Sequence, residues 1–154
     1  MHDFMPELTC VGCGPGDPEL LTVKAVNAIK NADVIMCPTS KEGKPSIALS
    51  VVSSLIDKDK NPEIVNLVFP MTKDKDILEN TWQKNSQIIA ESVFSGKKVV
   101  YLTVGDPYLY STWIYLHREI SVKHPDINIT VIPGIISDFI PSFSRLSICS
   151  LIAP

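Results

Sequence analysis

A chain of 154 residues, 45% of them hydrophobic and 20% charged, has enough apolar material to bury one core and falls in the size range of a single domain. Its formal charge of -3 creates no positive field that would gather nucleic acid or hold an anionic membrane surface, so an anionic ligand would have to be held by local lysines. Four cysteines are too few for the disulfide framework of a small secreted domain, and the opening Met1-His2-Asp3-Phe4-Met5-Pro6 lacks the basic start and apolar run of a signal peptide, so a cytoplasmic protein with no membrane span is expected.

Short apolar runs alternate with stretches of helical period, the pattern of successive βα units around a parallel sheet. The first strand is expected over residues 8–11 and runs into Cys10-Val11-Gly12-Cys13. That CxxC spacing lies in extended chain, where residues three apart point to opposite faces, so it reads as two buried small hydrophobes rather than a metal or redox pair. A helix over 22–30 would turn Val23, Val26 and Ile29 to one face. Next come a strand at 34–37, a polar loop at 39–45, an apolar helix at 47–56 ended by Asp57-Lys58-Asp59-Lys60, and a strand at 64–69. Lys73-Asp74-Lys75-Asp76 reads as the solvated entry to a long helix over 77–94, with Leu78, Trp82, Ile89 and Val93 in a stripe and Gly96 as its stop.

The fourth strand is expected over 98–103. Asp106 and Pro107 then offer an N-cap and first turn for a helix over 108–122 that places Leu109, Trp113, Leu116 and Ile120 on one side. His117 and His124, on or beyond that helix, have no metal-ligand partner at useful spacing. A fifth strand at 129–132 leads to a last helix ending near Leu146. The expected fold is α/β, a mostly parallel five-stranded sheet flanked by helices on both faces, with right-handed crossovers bringing the loops after strands one, four and five to one edge.

Ligands of such sheets bind outside the carboxyl ends of the strands. The residues there are Gly12-Cys13-Gly14-Pro15-Gly16-Asp17-Pro18-Glu19-Leu20-Leu21-Thr22 after strand one, Gly105-Asp106-Pro107-Tyr108-Leu109-Tyr110-Ser111-Thr112 after strand four, and Pro133-Gly134-Ile135-Ile136-Ser137 after strand five. A dinucleotide fingerprint fails twice: Asp17 stands where its last glycine should be, and strand two closes on Cys37-Pro38 with no acid for a ribose. A P-loop fails too, since there is no GK[ST] and Pro15 removes a backbone donor from the centre of the turn. A ligand without phosphates, approached closely by glycine backbone, suits the loop, and S-adenosylmethionine is such a ligand. Asp17 itself reads as a turn and cap residue ahead of Pro18.

With its GxGxGDPxLLT loop, the Gly105-Asp106-Pro107 turn and the Pro133-Gly134 turn in this order and spacing, the chain resembles the tetrapyrrole methylase family over residues 8 to 146. Cys37-Pro38-Thr39-Ser40-Lys41, Val68-Phe69-Pro70-Met71 and the stretch from Gly105 to Thr112 are similar to the branch that methylates carbon 20 of precorrin-2 or cobalt-precorrin-2. The resemblance implies methyl transfer from S-adenosylmethionine in cobalamin biosynthesis, with cofactor contacts at Pro15, Val104, Gly105, Asp106, Leu109, Ile136 and Ser137. Val104 departs from the glycine of many relatives, and Asp138, Pro141 and Phe143 replace small residues usual after Ser137.

Lys41 and Lys44, in the loop after strand two, could pair with carboxylates of the anionic tetrapyrrole. Asp106 or Tyr110 could accept the proton that leaves carbon 20, and no nucleophilic residue or metal is required. Family members add a second α/β domain, so residues 1–146 are expected to be the N-terminal domain and 147–154 the start of the interdomain linker, acting as a homodimer or paired with a C-terminal domain. The alternatives are another tetrapyrrole methylase, such as uroporphyrinogen III methyltransferase, or a non-catalytic cofactor-binding or assembly fragment.

Overall fold

The computed structural model describes residues 5–109 and 111–136. They contain β1 Glu7–Gly12, α1 Val23–Asn31, β2 Val34–Thr39, α2 Ile47–Val52, β3 Glu63–Val68, α3 Lys75–Phe94, β4 Val99–Thr103, α4 Trp113–Lys123 and β5 Asn128–Ile132. The strands form one five-stranded, all-parallel sheet in the order β3-β2-β4-β1-β5, as the alternation of apolar runs and helical periods predicts.

Side chains alternate between two packed layers. Leu8, Cys10, Val34, Met36, Val99 and Tyr101 meet Ile89 and Val93 of α3 and Trp113, Leu116 and Ile120 of α4. On the other face Val11, Ile35, Cys37, Val100 and Leu102 meet Ala25 and Ile29 of α1 and Ala48, Val51 and Val52 of α2. A strand covered on both faces needs no polar alternation, which is why Val34-Ile35-Met36-Cys37 is apolar throughout. Cys10 and Cys13 lie in opposite layers. Burial pushes the Cys13 and Cys37 thiols up to about 12, and raises Cys10 too with help from Cys13 and Asp106, so all three are neutral and pack as small hydrophobes.

Several element details differ from the sequence expectation, each for a local reason. Thr22 caps α1, its hydroxyl accepting Ala25 N at 3.1 Å, and this sets the helix phase so that Ala25 and Ile29 face the sheet while Val23 is 78% exposed. The second helix stops at Val52 and tightens into a 3₁₀ turn, Ser53–Leu55, where Ser50 and Ser53 hydroxyls donate to the carbonyls of Ile47 and Ser50. α3 starts early because Asp74 accepts the amides of Asp76 and Ile77 at 3.0 and 3.2 Å. α4 begins at Trp113 rather than 108: Asp106 caps only a turn, Oδ1 accepting Tyr108 N at 2.9 Å, and the helix N-cap is Thr112. The helix ending near Leu146 and the boundary between 146 and 147 lie outside the described residues.

The strand order makes two exit loops cross. Chain leaving β1 runs by α1 toward β2, whereas chain leaving β4 runs by α4, on the other face, toward β5. Because β4 lies between β2 and β1, the two paths must pass each other at the carboxyl edge. Among the described residues no helix is long and apolar enough to cross a membrane.

At the opposite edge, Asp33 ties β2 to β4: its Oδ2 accepts Lys98 N at 2.8 Å and its Oδ1 lies 3.4 Å from Lys60 Nζ. The Lys98 amide, with Lys60, holds this carboxyl below the usual carboxylate range. A depressed pKa contributes stability that is present above the unfolded value of about 3.9 and is lost as pH falls through the folded one. Asp33→Asn keeps an acceptor and removes the charge, so it is expected to destabilise the chain at pH 7 by no more than about 1 kcal/mol, the group being largely exposed. Urea titrations at pH 7 and pH 3 check this: the difference from wild type should shrink at the lower pH, and a pH-independent difference would contradict it.

Candidate functional site

The crossing is built from backbone. Cys13 N donates to Thr103 O at 2.8 Å, and Gly14 and Gly105 form an antiparallel bridge, Gly14 N to Gly105 O at 3.2 Å and Gly105 N to Gly14 O at 2.9 Å. Both glycines are in the left-handed region, φ 66° and 73°, where side-chain-bearing residues are strained. The third loop closes on the same point. A Cβ on Gly134 would stand 2.0 Å from Gly105 O, and one on Gly12 would stand 2.5 Å from Gly134 N. Gly12 and Gly134 are therefore glycine because three pieces of main chain touch there.

Gly105 differs from these. A Cβ on it would meet nothing within 4 Å, so its outer side faces open space, as does that of Gly16. Around this opening the large apolar side chains Val104, Tyr108, Leu109 and Ile135 are between 37% and 53% exposed, with Pro15 and Ile136 half-buried beside them in the same loops. Open backbone rimmed by uncovered apolar side chains can hold a flat, partly apolar ligand, with main-chain groups left for its polar ends.

Asp106 braces the opening. Its Oδ1 takes Tyr108 N and its Oδ2 takes Gly134 N at 3.3 Å, so one carboxylate joins the second loop to the third. Asp17 caps the 3₁₀ turn Pro18–Leu20 by accepting Glu19 N at 2.9 Å, the turn-and-cap role its sequence position predicts. Pro15, Val104, Gly105, Asp106, Leu109 and Ile136 all belong to the three converging loops, while Ser137 and Tyr110 lie outside the described residues. Lys41 and Lys44 are exposed in the loop after β2, at the same end of the sheet, and no described contact links them to the glycine crossing. His117, given no role from sequence, packs against Trp113 and Tyr108, ring centroids 5.7 and 6.3 Å away.

Sequence reasoning overlooked Thr103 and Ser111, whose hydroxyls lie 2.8 Å apart across the base of the second loop. The available signal was a hydroxyl residue at each end of a loop between a strand and a helix. Such residues are common enough at strand ends and caps that spacing alone does not pair them.

Comparison with known proteins bears on the family and the fold. The family model of Tetrapyrrole (Corrin/Porphyrin) Methylases matches residues 7–148. A probable cobalt-precorrin-2 C(20)-methyltransferase of Methanocaldococcus jannaschii is 36% identical, over 90% of this chain and 57% of that protein. The cobalt-precorrin-2 C(20)-methyltransferase of Salmonella typhimurium is 32% identical, over 85% of this chain and 53% of its own. Proteins named as cobalt-precorrin-4 C(11)-methyltransferases match as well, at 33% and 26% identity. Among solved structures, the cobalt precorrin-4 methyltransferase CbiF superposes with a TM-score of 0.57 at 23% identity, covering 88% of this chain and 48% of that one, and so shares the fold. The chain spans about half the length of the curated relatives it matches. On its sequence match over nearly all of its length, the chain belongs to the tetrapyrrole (corrin/porphyrin) methylases.

Proposed function

We propose that this chain forms the cofactor-binding half of an S-adenosylmethionine-dependent C-methyltransferase that acts on carbon 20 of precorrin-2 or cobalt-precorrin-2 in cobalamin biosynthesis. The observation that carries the reading is the open space beside the Gly105 and Gly16 backbone, in loops that also expose Val104, Leu109 and Ile135. Relatives named for the C(20) reaction support that position. Those named for C(11) favour, as a second reading, a sister enzyme acting elsewhere on the ring with the same three loops.

The residues present fit the cofactor. Val104, Leu109 and Ile136 would flank the adenosine, and the backbone at Pro15 and Gly105 would meet its polar groups, with Ser137 a further contact that the family resemblance implies. When bound, the cofactor supplies an electrophilic methyl group to an electron-rich ring carbon. The chain's own contribution is one wall of the site: the Gly14–Gly105 bridge joins the first two loops, and the apolar rim shields one side of the ligand from water. Asp106 acts as a brace, since both of its oxygens already accept backbone amides. Lys41 and Lys44, exposed at the same end of the sheet, offer positive charge to a polycarboxylate substrate. We place the working protein in the cytoplasm, as a homodimer or joined to a C-terminal domain, with no nucleic-acid or membrane partner.

Gly105→Val tests the site. At φ 73° a branched residue costs about 1–2 kcal/mol of backbone strain, and its methyls would fill the open space. Affinity for S-adenosylhomocysteine, measured by calorimetry, is expected to fall about tenfold or more, a loss of at least about 1.4 kcal/mol, while far-ultraviolet circular dichroism stays unchanged. Unaltered affinity would place the cofactor elsewhere.

A further inference from the structure

Two hydroxyl pairs join the ends of the loop between β4 and α4. Thr103 Oγ1 lies 2.8 Å from Ser111 Oγ, and Tyr101 OH lies 3.2 Å from Thr112 Oγ1. Ser111 Oγ also accepts Trp113 N at 3.1 Å, which ties the clasped end to the first turn of α4. Tyr101 and Thr103 stand two apart on β4 and so share a face. Thr103 and Tyr101 are buried, as is Trp113, which packs on Tyr101 with ring centroids 5.3 Å apart. The far end of the loop is therefore referred to fixed points in the core, whereas Val104, Tyr108 and Leu109 between them are open to solvent.

Thr103 also serves the first loop, because its carbonyl accepts Cys13 N. One residue thus holds the first loop through its backbone and the far end of the second through its side chain. We infer that the Thr103–Ser111 hydroxyl pair is a positioning clasp: it ties the two ends of the loop after β4 so that Gly105 and Leu109 are presented together to the ligand. Ser111 is a positioning residue here, acting through the loop rather than on reacting atoms. The inference rests on the reading above that this loop forms a wall of the cofactor site.

Ser111→Ala removes only the hydroxyl, and Ser111→Thr keeps it. In the alanine variant, amide hydrogen exchange at Tyr108, Leu109 and Gly134 is expected to quicken about fivefold, the equilibrium equivalent of one net hydrogen bond. Exchange at Val11 and Leu102 in the sheet should stay at its wild-type rate. The threonine variant should restore the loop rates, and affinity for S-adenosylhomocysteine should fall by a similar factor in the alanine variant and recover in the threonine one. Equal quickening throughout the sheet would reveal a general loss of stability and overturn the clasp, and so would unchanged loop rates. A wild-type chain that fails to bind S-adenosylhomocysteine would count against the cofactor reading alone, because the exchange pattern decides the clasp without ligand.

Discussion

Gly134→Ala is expected to destabilise the chain by about 3 kcal/mol, the upper end of what overpacking a closed site costs. The new Cβ would lie 2.0 Å from Gly105 O and 2.9 Å from Gly12 C, both main-chain atoms that cannot swing away like the end of a long side chain. Gly105→Ala provides the contrast. Its Cβ meets nothing within 4 Å, so its cost is confined to the left-handed backbone, about 1 kcal/mol. Thermal and urea unfolding of the two variants should rank them in that order. Equal losses, or a larger loss at Gly105, would mean that the three loops do not close on Gly134 as described.

The second large effect concerns catalysis. On the proposed reading, the chain incubated by itself with precorrin-2 and labelled S-adenosylmethionine is expected to transfer no methyl group above background, and to gain transfer when the second half of a relative is supplied. Its loops present an apolar rim that is still 37% to 53% exposed, so a ligand lying on them keeps one side in water. Alignment of reacting groups is worth about 7–11 kcal/mol of barrier, and a single wall cannot provide it. Uncovered apolar surface of this kind also favours association with a partner. Robust methylation by the chain alone would show that these loops suffice.

Much of this architecture is legible in the sequence because the physics that fixes it is local or periodic. Val34-Ile35-Met36-Cys37 and Val99-Val100-Tyr101-Leu102 are short, rich in β-branched residues and bounded by turn formers, which reads as buried strands, and the glycine and proline punctuation after Val11, Thr103 and Ile132 marks where the sheet ends. What escapes are choices settled by side-chain hydrogen bonds. Whether Asp106 caps a helix or a turn depends on Tyr108 N and Gly134 N, one of them 28 residues away. The start of α4 depends on Ser111 reaching Trp113 N. The phase of α1 follows from its cap, so an exposed valine at 23 looks like a core position in a periodicity count. Nor could glycine type alone separate Gly12 and Gly134, which are small because backbone lies against them, from Gly105, which faces open space.

If the cofactor lies on the crossing of the three loops, nuclear magnetic resonance will see it there. The isotope-labelled chain, titrated with S-adenosylhomocysteine to millimolar concentration, should show amide shifts at Gly14, Gly16, Gly105, Leu109 and Ile136. Asp33, Lys98 and Asn128 at the opposite edge should not respond. Shifts confined to that opposite edge, or no shifts at the three loops at saturating ligand, would contradict that placement.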